Sequence, residues 1–432
     1  MEDKMKALII INLMIGVIFT ICYLYQFAYI PLVWILRKKH KEPKCAGINN
    51  YAVLICARNE GEVVSDLIRS LKAQTYPEKL INIFVMADNC SDDTAEAARK
   101  AGATAVYERE NKKEVGKGYA LDALLKEIKK DFPEGFDGYF VFDADNILKD
   151  DFIEQMNLTF SQGYDVVTSY RNSKNYGANW ISAGYALWFL RESRYLNHAR
   201  TLLGTSCPVS GTGFLFSREI ADEIDGWPYH TLTEDIEFSV AQIIKGKKTG
   251  ICAKAMLFDE QPVDFAQSWN QRLRWSKGFL QVFKKYGANL IKGINGSFAC
   301  YDMSMTIMPA YALGTVSLVS NFLLGIYAAI FLRDMSIFVM SFGGSMLSAY
   351  VLLFVVGLIT TITEWNNIYT STFRKIAFVF TFPLFMFTYY PISFVAIFAK
   401  SEWKPIKHSM SMQQLCVEGS FDMSKLESKK AC

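Results

Sequence analysis

Two aspartates stand two residues apart in the stretch "DADN" (143–146), directly after the apolar run "GYFVF". At a bend that ends a strand, Asp143 and Asp145 could face one hard cation, and that cation could bridge the phosphates of a nucleotide. The pair therefore predicts a Mg²⁺ or Mn²⁺ site. Taken alone it is a weak signal, because solvated loops also carry aspartates at this spacing.

A second acidic pair occurs in "TLTEDIEFSV" (231–240), where Glu234 and Asp235 follow Thr233. One interpretation is helix capping, with Thr233 at the N-cap and both acids in the first turn, where they complement the helix dipole. The other is general-base catalysis, in which a carboxylate removes a proton from a hydroxyl nucleophile. The sequence leaves both interpretations open.

Two further stretches carry polar groups that suit a nucleotide. In "MADNCSDDT" (86–94), Asp88 could accept hydrogen bonds from a ribose or a base, while Asp92 and Asp93 are expected to begin the next helix. In "VGKGYALDALL" (115–125), Lys117 stands between two glycines at a predicted helix start, which suits a phosphate contact. The spacing differs from that of a P-loop.

Candidate acceptor residues occur in two places. "VSGTGFLF" (209–216) predicts a tight turn at Gly211, Thr212 and Gly213 before an apolar strand, or a backbone that a sugar acceptor can approach closely. "QRLRW" (271–275) combines two arginines with a tryptophan whose flat face suits a sugar ring.

The two arginines of this motif, Arg272 and Arg274, are two residues apart on a predicted helix and so point in different directions. One of them could face a diphosphate, and the other an acidic partner or lipid headgroups. The alternative is an amphipathic interfacial helix with snorkelling arginines. Both interpretations can hold at once.

The elements that must position these residues follow a strand–helix rhythm. Helices are predicted at 61–74 and 91–101, between short apolar runs that are typical of buried strands: "YAVLICA" (51–57), "INIFVMAD" (81–88), "GYFVFDADN" (138–146) and "YDVVTSY" (164–170). This order indicates an α/β domain with a mostly parallel sheet over 49–262. In such sheets ligands bind beyond the carboxyl ends of the strands, which is where these acids stand.

Long uncharged stretches flank that domain. Residues 7–36 are longer than a bilayer core needs, and the basic cluster at 37–41 places that end in the cytoplasm. Residues 303–332 and 336–363 are predicted to form a transmembrane hairpin. Residues 376–399 are also apolar, but a fourth span would leave the basic tail outside, so an interfacial or re-entrant helix is preferred.

Composition supports this division. The chain has 432 residues with 21% charged and 14% aromatic, which is too apolar for an ordinary soluble enzyme and too charged for a purely transmembrane bundle. The net charge of +3 gives no reason to expect a nucleic-acid partner. The nine cysteines are scattered, which indicates free thiols in a reducing compartment.

The order of these motifs is more specific than any one of them. "ARNE", "DNCSDD", "DADN", "TED" and "QRLRW", framed by membrane helices, resemble the processive family 2 glycosyltransferases, which include cellulose, hyaluronan, chitin and poly-N-acetylglucosamine synthases. The resemblance covers about residues 50–408. It implies a GT-A fold, a UDP-sugar donor and a Mg²⁺ or Mn²⁺ ion.

The resemblance also implies roles for individual residues. Asp235 would be the catalytic base of an inverting displacement, with Glu234 beside it, and Asp143 and Asp145 would serve the nucleotide and the metal. The remaining donor residues would be Ala57, Arg58, Asn59, Glu60, Asp88, Lys117 and Arg274. The acceptor would meet Gly211, Thr212, Gly213, Gln271, Arg272 and Trp275.

The tail departs from the family pattern. "SEWKPIKHS" (401–409) occupies the place of a gating loop that covers bound UDP, and only Trp403 and the cation of Lys404 match its features. The expected layout is an N-terminal anchor (1–48), the GT-A domain (49–262), amphipathic interfacial helices (263–300), a transmembrane hairpin (301–363), an interfacial helix (364–399) and a cytoplasmic tail (400–432).

The resulting hypothesis is a processive inverting β-glycosyltransferase of the plasma membrane with a cytoplasmic catalytic domain. It would polymerise sugar from a UDP-sugar, with UDP-glucose favoured to give a β-glucan, and extrude the growing polysaccharide across the lipid bilayer through its own transmembrane channel. The alternatives are a synthase that uses UDP-GlcNAc, a non-processive enzyme that glycosylates a membrane lipid, and a non-enzymatic membrane protein. Partner subunits, linkage and chain length are not indicated by the sequence.

Overall fold

A computed structural model describes residues 2–37, 46–308, 310–333 and 335–399. The strands are β1 (Tyr51–Ala57), β2 (Ile81–Asp88), β3 (Ala105–Arg109), β4 (Gly138–Asp143), β5 (Ile147–Leu148), β6 (Val166–Ser173), β7 (Phe214–Ser217) and β8 (Thr249–Asp259). The helices before residue 300 are α1 (Glu2–Arg37), α2 (Val64–Lys72), α3 (Thr94–Ala101), α4 (Lys117–Asp131), α5 (Phe152–Phe160), α6 (Trp180–Arg191), α7 (His198–Leu202), α8 (Arg218–Ile224), α9 (Glu234–Ile244), α10 (Phe265–Gly293) and α11 (Phe298–Ile307). The later helices are α12 (Ala310–Tyr327), α13 (Met335–Phe338), α14 (Gly344–Thr363), α15 (Thr372–Phe387) and α16 (Tyr389–Phe398).

One eight-stranded sheet forms the centre of the domain, in the order β3-β2-β1-β4-β7-β6-β8-β5. Its first four strands are parallel, as the strand–helix rhythm predicts. β7 runs antiparallel to both of its neighbours, β4 and β6, so the second half of the sheet is mixed. Because β7 is antiparallel to both β4 and β6, strand β6 runs parallel to β4, and so does β8, which pairs with β6 in parallel. Six strands, β1 to β4 with β6 and β8, therefore end at the same edge.

The apolar strand runs are explained by burial on both faces of this sheet. On one face Val53, Phe140 and Phe142 pack with residues of α2 and α5. On the other face Leu54 and Val141 pack with residues of α4, α8 and α9. Since successive side chains of a strand point to opposite faces, a strand covered on both sides needs an unbroken apolar sequence.

Strand register brings the polar strand ends together. Ala57 of β1 pairs with Ala87 of β2, and Cys56 pairs with Asp143 of β4. The residues directly after β1, the last residue of β2 and the last residue of β4 therefore meet at one edge. The three predicted strands that end in these polar residues are present as β1, β2 and β4, and the two predicted helices are present as α2 and α3.

Four helical stretches within the described ranges are long and apolar enough to cross a membrane, judged by length and composition: Gly16–Arg37, Gly314–Phe331, Gly344–Thr363 and Thr372–Phe398. The first three correspond to the predicted anchor and hairpin. The prediction that one span begins at Met303 is wrong, because Met303 belongs to α11, which ends at Ile307 and packs on α10. The apolar stretches that suit the predicted hairpin lie in α12 and α14 instead.

The fourth stretch was expected to lie at the interface or to re-enter the membrane. It is divided at Thr388 into α15, which packs along α14 and α6, and α16, which packs on α10. Its length and composition also allow a span, so the interfacial placement stays a prediction. The tail from residue 400 lies outside the described residues.

The amphipathic helix α10 connects the two parts of the molecule. The Asp264 carboxylate caps it by accepting a hydrogen bond from the Gln267 backbone N–H at 2.8 Å. Along its 29 residues α10 contacts α9, α11 and α16. It therefore carries the "QRLRW" motif between the sheet domain and the apolar helices.

Candidate active site

A cavity of about 560 Å³ begins at the shared strand edge and continues between the apolar helices. Its polar end contains most of the predicted site residues. They are Ala57, Arg58, Glu60, Asp88, Lys117, Asp143, Asp145, Gly211, Glu234, Asp235, Gln271, Arg274 and Trp275. Its other end is lined by side chains of α1, α14, α15 and α16.

The "DADN" corner is held by neighbours on three sides. The ammonium of Lys117, at the start of α4, forms an ion pair with Asp143 and donates to the Gly211 carbonyl at 2.7 Å. The Thr212 hydroxyl accepts a hydrogen bond from the Asp143 backbone N–H at 2.8 Å and donates to Asn146. Lys117 thus lies where a diphosphate contact was predicted, and it already carries a carboxylate partner.

The donor set at this corner fits a hard divalent cation. The Asp145 carboxylate accepts from the Glu260 backbone N–H at 2.9 Å, which fixes its direction in the cavity wall. Within the described ranges no group of three or more histidine, cysteine or acidic side chains could hold a metal alone. Mg²⁺ is commonly held by one or two carboxylates plus substrate phosphates, so Asp143 and Asp145 suffice as protein ligands.

Asp88 has a partner that the sequence did not reveal. The Arg109 guanidinium, at the end of β3, lies 2.6 Å from the Asp88 carboxylate and also contacts Glu114. β3 was not predicted as a strand, so the match of Arg109 to Asp88 across the β2–β3 register could not be found from sequence. The pair fixes Asp88 at the cavity wall.

The acidic pair of "TED" lies at the start of α9, as predicted, but Thr233 does not cap the helix with its side chain. Burial and the neighbouring Asp235 charge raise the pKa of Glu234, and burial raises the pKa of Asp235 despite backbone hydrogen bonds at the helix start. Lys117 and Arg274 oppose both shifts. The geometry gives a carboxylate that holds a proton more readily than an exposed aspartate does.

Two glycines bring other segments against this pair. A Cβ on Gly211, which has φ of +81°, would lie 3.5 Å from the Asp235 carboxylate, so the backbone of this turn directly faces the candidate base. A Cβ on Gly278 of α10 would lie 2.5 Å from the Thr233 hydroxyl. The close approach of α10 to "TED" therefore depends on glycine at position 278.

The two arginines of "QRLRW" separate as their spacing predicts. Arg274 lines the cavity, and its guanidinium donates to the Leu232 carbonyl at 3.3 Å. Arg272 is fully buried away from the cavity, where it donates to the Phe385 carbonyl and to the Thr388 hydroxyl. The prediction that Arg272 contacts the acceptor is therefore wrong for this structure: the side chain anchors α10 to the end of α15.

Gln271 and Trp275 lie on the cavity side of α10. Trp275 is fixed by edge contacts with the rings of Tyr185 and Phe189. The side-chain oxygen of Gln271 is buried and has no hydrogen-bond partner among the described residues. Both residues line the cavity, and their contacts with an acceptor stay a prediction.

Three other predicted contacts point away from the cavity. The Asn59 side-chain oxygen accepts from the Ser91 backbone N–H at 2.7 Å, which ties two loops together. Thr212 is buried against the "DADN" corner, and a Cβ on Gly213 would lie 1.9 Å from a methyl of Leu257. These residues hold the shape of the site, and the structure corrects their assignment as direct contacts. Trp403 and Lys404 lie outside the described residues.

The cavity also contains charged residues that the sequence analysis missed. Arg171 near the end of β6 and Asp259 at the end of β8 form an ion pair at 2.5 Å. Burial and the nearby Asp145 raise the pKa of Asp259 to about 6 although Arg171 opposes the shift. A signal for Arg171 existed, because it directly follows the predicted strand 164–170. Glu192 lines the cavity from a π-helical turn that sequence patterns do not reveal.

Comparison with known protein families identifies the family to which this chain belongs. The model of "Glycosyltransferase like family 2" matches residues 49–278, which is more than half of the chain. The chain belongs to this family. The matched range contains every motif from "ARNE" to "QRLRW", and the prediction of a family 2 glycosyltransferase is confirmed.

Relatives of this glycosyltransferase differ in the products that their names describe. It is 26% identical over 295 residues to beta-monoglucosyldiacylglycerol synthase of Trichormus variabilis, an alignment that covers 65% of this chain and 60% of that protein. It is 25% identical over 235 residues to poly-beta-1,6-N-acetyl-D-glucosamine synthase of Staphylococcus aureus, covering 53% and 54%. The chain thus spans only about 60% of the length of the first of these relatives.

A solved structure supports the fold of the glycosyltransferase. The mannosyltransferase PcManGT from Pyrobaculum calidifontis, solved in complex with GDP-Man and Mn²⁺, aligns with a TM-score of 0.56 and 12% identity. The alignment covers 89% of this chain and 99% of that protein. The predicted α/β GT-A fold is confirmed.

Proposed function

We propose that this protein is an inverting glycosyltransferase that transfers glucose from UDP-glucose to the end of a growing β-linked polysaccharide. The observation that carries the proposal is the single cavity that joins the acidic strand edge to the apolar helices. A polymer extended at Asp235 would have a direct route into the helical part. Trp275 and the Gln271 oxygen stand between the two ends.

The residues at the strand edge suit a nucleoside diphosphate sugar. Lys117 and Arg274 are the cations nearest to the candidate base, and they would balance the charge of the departing diphosphate. A divalent cation held by Asp143 and Asp145 would supply further electrostatic stabilisation of that leaving group. Asp88, Arg58 and Glu60 remain our proposal for the nucleoside contacts.

The transfer step needs one base. An acceptor hydroxyl next to Gly211 would attack the anomeric carbon while its proton passes to Asp235, and the bond from that carbon to the diphosphate oxygen would break with its electron pair on the diphosphate. A raised pKa suits this role, because a carboxylate that binds a proton well is a better base near neutral pH. The charge of Asp235 in turn raises the pKa of the neighbouring Glu234.

A second candidate is glycosylation of a membrane lipid. It is favoured by the apolar side chains that α14 contributes to the cavity, including Leu352, Leu353 and Val356. The names of the cyanobacterial relatives describe such a product. In this case the lipid hydroxyl would reach Asp235 and the acyl chains would lie between the helices.

We further propose a plasma-membrane location with the sheet domain in the cytoplasm and the domain boundaries given above. The basic residues that follow α1 support this orientation. The candidate spans support membrane association, whereas the number of crossings depends on α15 and α16.

Membrane vesicles that contain the protein provide the test. They are incubated with UDP-glucose or UDP-GlcNAc and Mg²⁺, and the products are divided by organic extraction. A high-mass product that β-glucanase digests supports the polysaccharide proposal. A labelled lipid in the organic phase supports the second candidate. If sugar is incorporated only from UDP-GlcNAc, the donor is UDP-GlcNAc instead of UDP-glucose. The variant D235N is the negative control.

A further inference from the structure

One wall of the cavity carries charged groups beside the candidate base. It is formed by the end of α6 and the π-helical turn at Glu192–Asn197, and Glu192 at the start of this turn lines the cavity. π-Helical turns inside α-helices frequently occur at functional sites. The Glu192 carboxylate is half-buried, and the neighbouring Ser210 side chain stabilises its charged form against the effect of burial, which raises its pKa.

Arg171 holds the other side of Ser210. Its guanidinium donates to the Ser210 carbonyl at 2.9 Å and to the Asp259 carboxylate at 2.6 Å. The same guanidinium lies 3.7 Å from the centre of the Phe189 ring. Ser210 is therefore held at its carbonyl by the Arg171 guanidinium, and its side chain lies against the Glu192 carboxylate.

This fixed residue is adjacent to the reaction centre. Ser210 directly precedes Gly211, whose missing side chain leaves the backbone facing the Asp235 carboxylate. An acceptor hydroxyl that reaches Asp235 therefore brings the rest of the acceptor against Ser210 and Glu192. The rings of Trp188 and Trp275 line the same cavity.

The chemistry of this wall favours a sugar over a hydrocarbon. A sugar ring presents several hydroxyls that can donate to a carboxylate and an apolar face that can cover an aromatic ring. A hydrocarbon chain at the same place would take water away from the Glu192 carboxylate and supply no donor in its place, so Ser210 and the charges of Arg171 and Arg200 alone would offset the cost of burying this charge.

We propose that Glu192, Ser210 and Arg171 form a subsite that orients the terminal sugar of the acceptor beside Asp235. Glu192 accepts hydrogen bonds from sugar hydroxyls, and Arg171 acts as a positioning residue that holds Ser210. The inference depends on the proposed polysaccharide function and adds to it, because the orientation of the terminal sugar decides which hydroxyl is glycosylated. The subsite therefore sets the linkage.

The test compares E192Q and S210A with the wild-type protein in vesicles. Three quantities are measured with UDP-glucose: its hydrolysis to free glucose and UDP, sugar transfer to the acceptor, and the linkages of the product. Because every transfer also releases one UDP, free glucose is the readout of the donor site alone, and we expect its formation to stay within about twofold in both variants. Transfer should fall roughly 10- to 100-fold in E192Q, the range for one hydrogen bond to a charged group, and less in S210A. The proportion of linkages should change.

The matched control is E223Q, because Glu223 is a partly exposed acid that pairs with Lys245 and Lys247 outside the cavity. Equal losses of free-glucose formation and transfer in E192Q would assign the carboxylate to the donor site or the fold and overturn the subsite. Wild-type transfer and linkages in both variants would also overturn it. A wild-type protein that releases no UDP overturns the proposed function itself, which is a distinct result.

Discussion

Asp302 and Asp235 are two acids with little solvent exposure whose surroundings act in opposite directions. Asp302 of α11 accepts two hydrogen bonds from Arg200, at 2.7 and 2.6 Å, and one each from Tyr25 and Tyr29 of α1. Burial acts to raise the pKa of Asp302, but the charge and hydrogen bonds of Arg200 outweigh it and lower that pKa. The carboxylate is held ionised.

Asp235 lies next to another acid instead of an arginine. Burial raises its pKa, and the backbone N–H of Ile236 and the charges of Lys117 and Arg274 offset this only in part. The comparison teaches that burial alone does not mark a functional acid. An acid with a full set of donors joins elements of the fold, whereas an acid whose charge is poorly compensated can take up a proton.

The largest expected effect is a loss of activity when Asp235, the acid whose charge is poorly compensated, is replaced. D235N removes the proposed base at nearly constant shape, and transfer should fall by about 10²- to 10⁴-fold, the usual contribution of general acid–base catalysis. Thermal unfolding should be unchanged or shifted upward, because one of two repelling charges is gone. Radiolabel transfer and a melting curve in detergent measure both quantities. A variant with near wild-type transfer would show that Asp235 is not the base.

The opposite result, a loss of stability with little change in activity, is expected when Asp302 is replaced, because Arg200 compensates its charge. D302N leaves the Arg200 charge buried without its partner, and breaking such a pair costs about 3–5 kcal/mol of unfolding free energy. The melting temperature should fall clearly, while transfer per folded molecule should change little. The control D225N breaks an exposed pair with Lys129 and should leave the melting curve unchanged. Equal melting curves for D302N and D225N would show that the buried ion pair of Asp302 does not stabilise the fold.

A smaller effect is expected where α10 approaches "TED". G278A places a methyl group within 3 Å of three side-chain atoms of Thr233, so α10 must move away from α9. Overpacking of this kind costs about 1–3 kcal/mol, and it should lower kcat several-fold by displacing Arg274 and Trp275. Helix propensity works in the other direction, since alanine favours the helix. A variant with unchanged kcat would show that the contact does not position the motif.

The smallest effect is a shift in pH dependence. A base with a raised pKa is protonated, and therefore inactive, up to a higher pH than an ordinary aspartate, so kcat/KM should rise with pH through this raised value. Burial and the charge of Asp235 raise the pKa of Glu234, so Glu234 still carries its proton when Asp235 titrates. E234Q imitates this neutral side chain, and the acidic limb should therefore stay within about half a unit of its wild-type position. A limb that moves further would mean that Glu234 is already ionised when Asp235 titrates.

Much of the strand edge could be predicted from sequence because its signals are local. An apolar run followed by a polar residue predicts both a strand and the position of its end, and this rule located Asp88, Asp143 and Asp145. The same rule applied to the predicted strand 164–170 would have found Arg171. Helix starts at Lys117 and Glu234 were likewise predicted from their own sequence neighbours.

The remaining residues depend on contacts between distant parts of the chain. Asp88 meets Arg109 only because β3 pairs with β2, and Asn59 serves a loop 32 residues further on. Spacing predicted that Arg272 and Arg274 diverge, but which one enters the cavity is decided by α15, more than 100 residues away. Glu192 stands on a turn whose π geometry has no simple sequence pattern.

The anchoring of Arg272 has a consequence for biosynthesis. Its hydrogen-bond partners, Phe385 and Thr388, are made more than 100 residues after it. A nascent chain therefore has its strand edge complete before α10 is locked in place. Arg274 and Trp275 reach their final positions only when the last apolar helices have assembled. The cavity that joins the strand edge to the apolar helices is therefore the last part of the site to form.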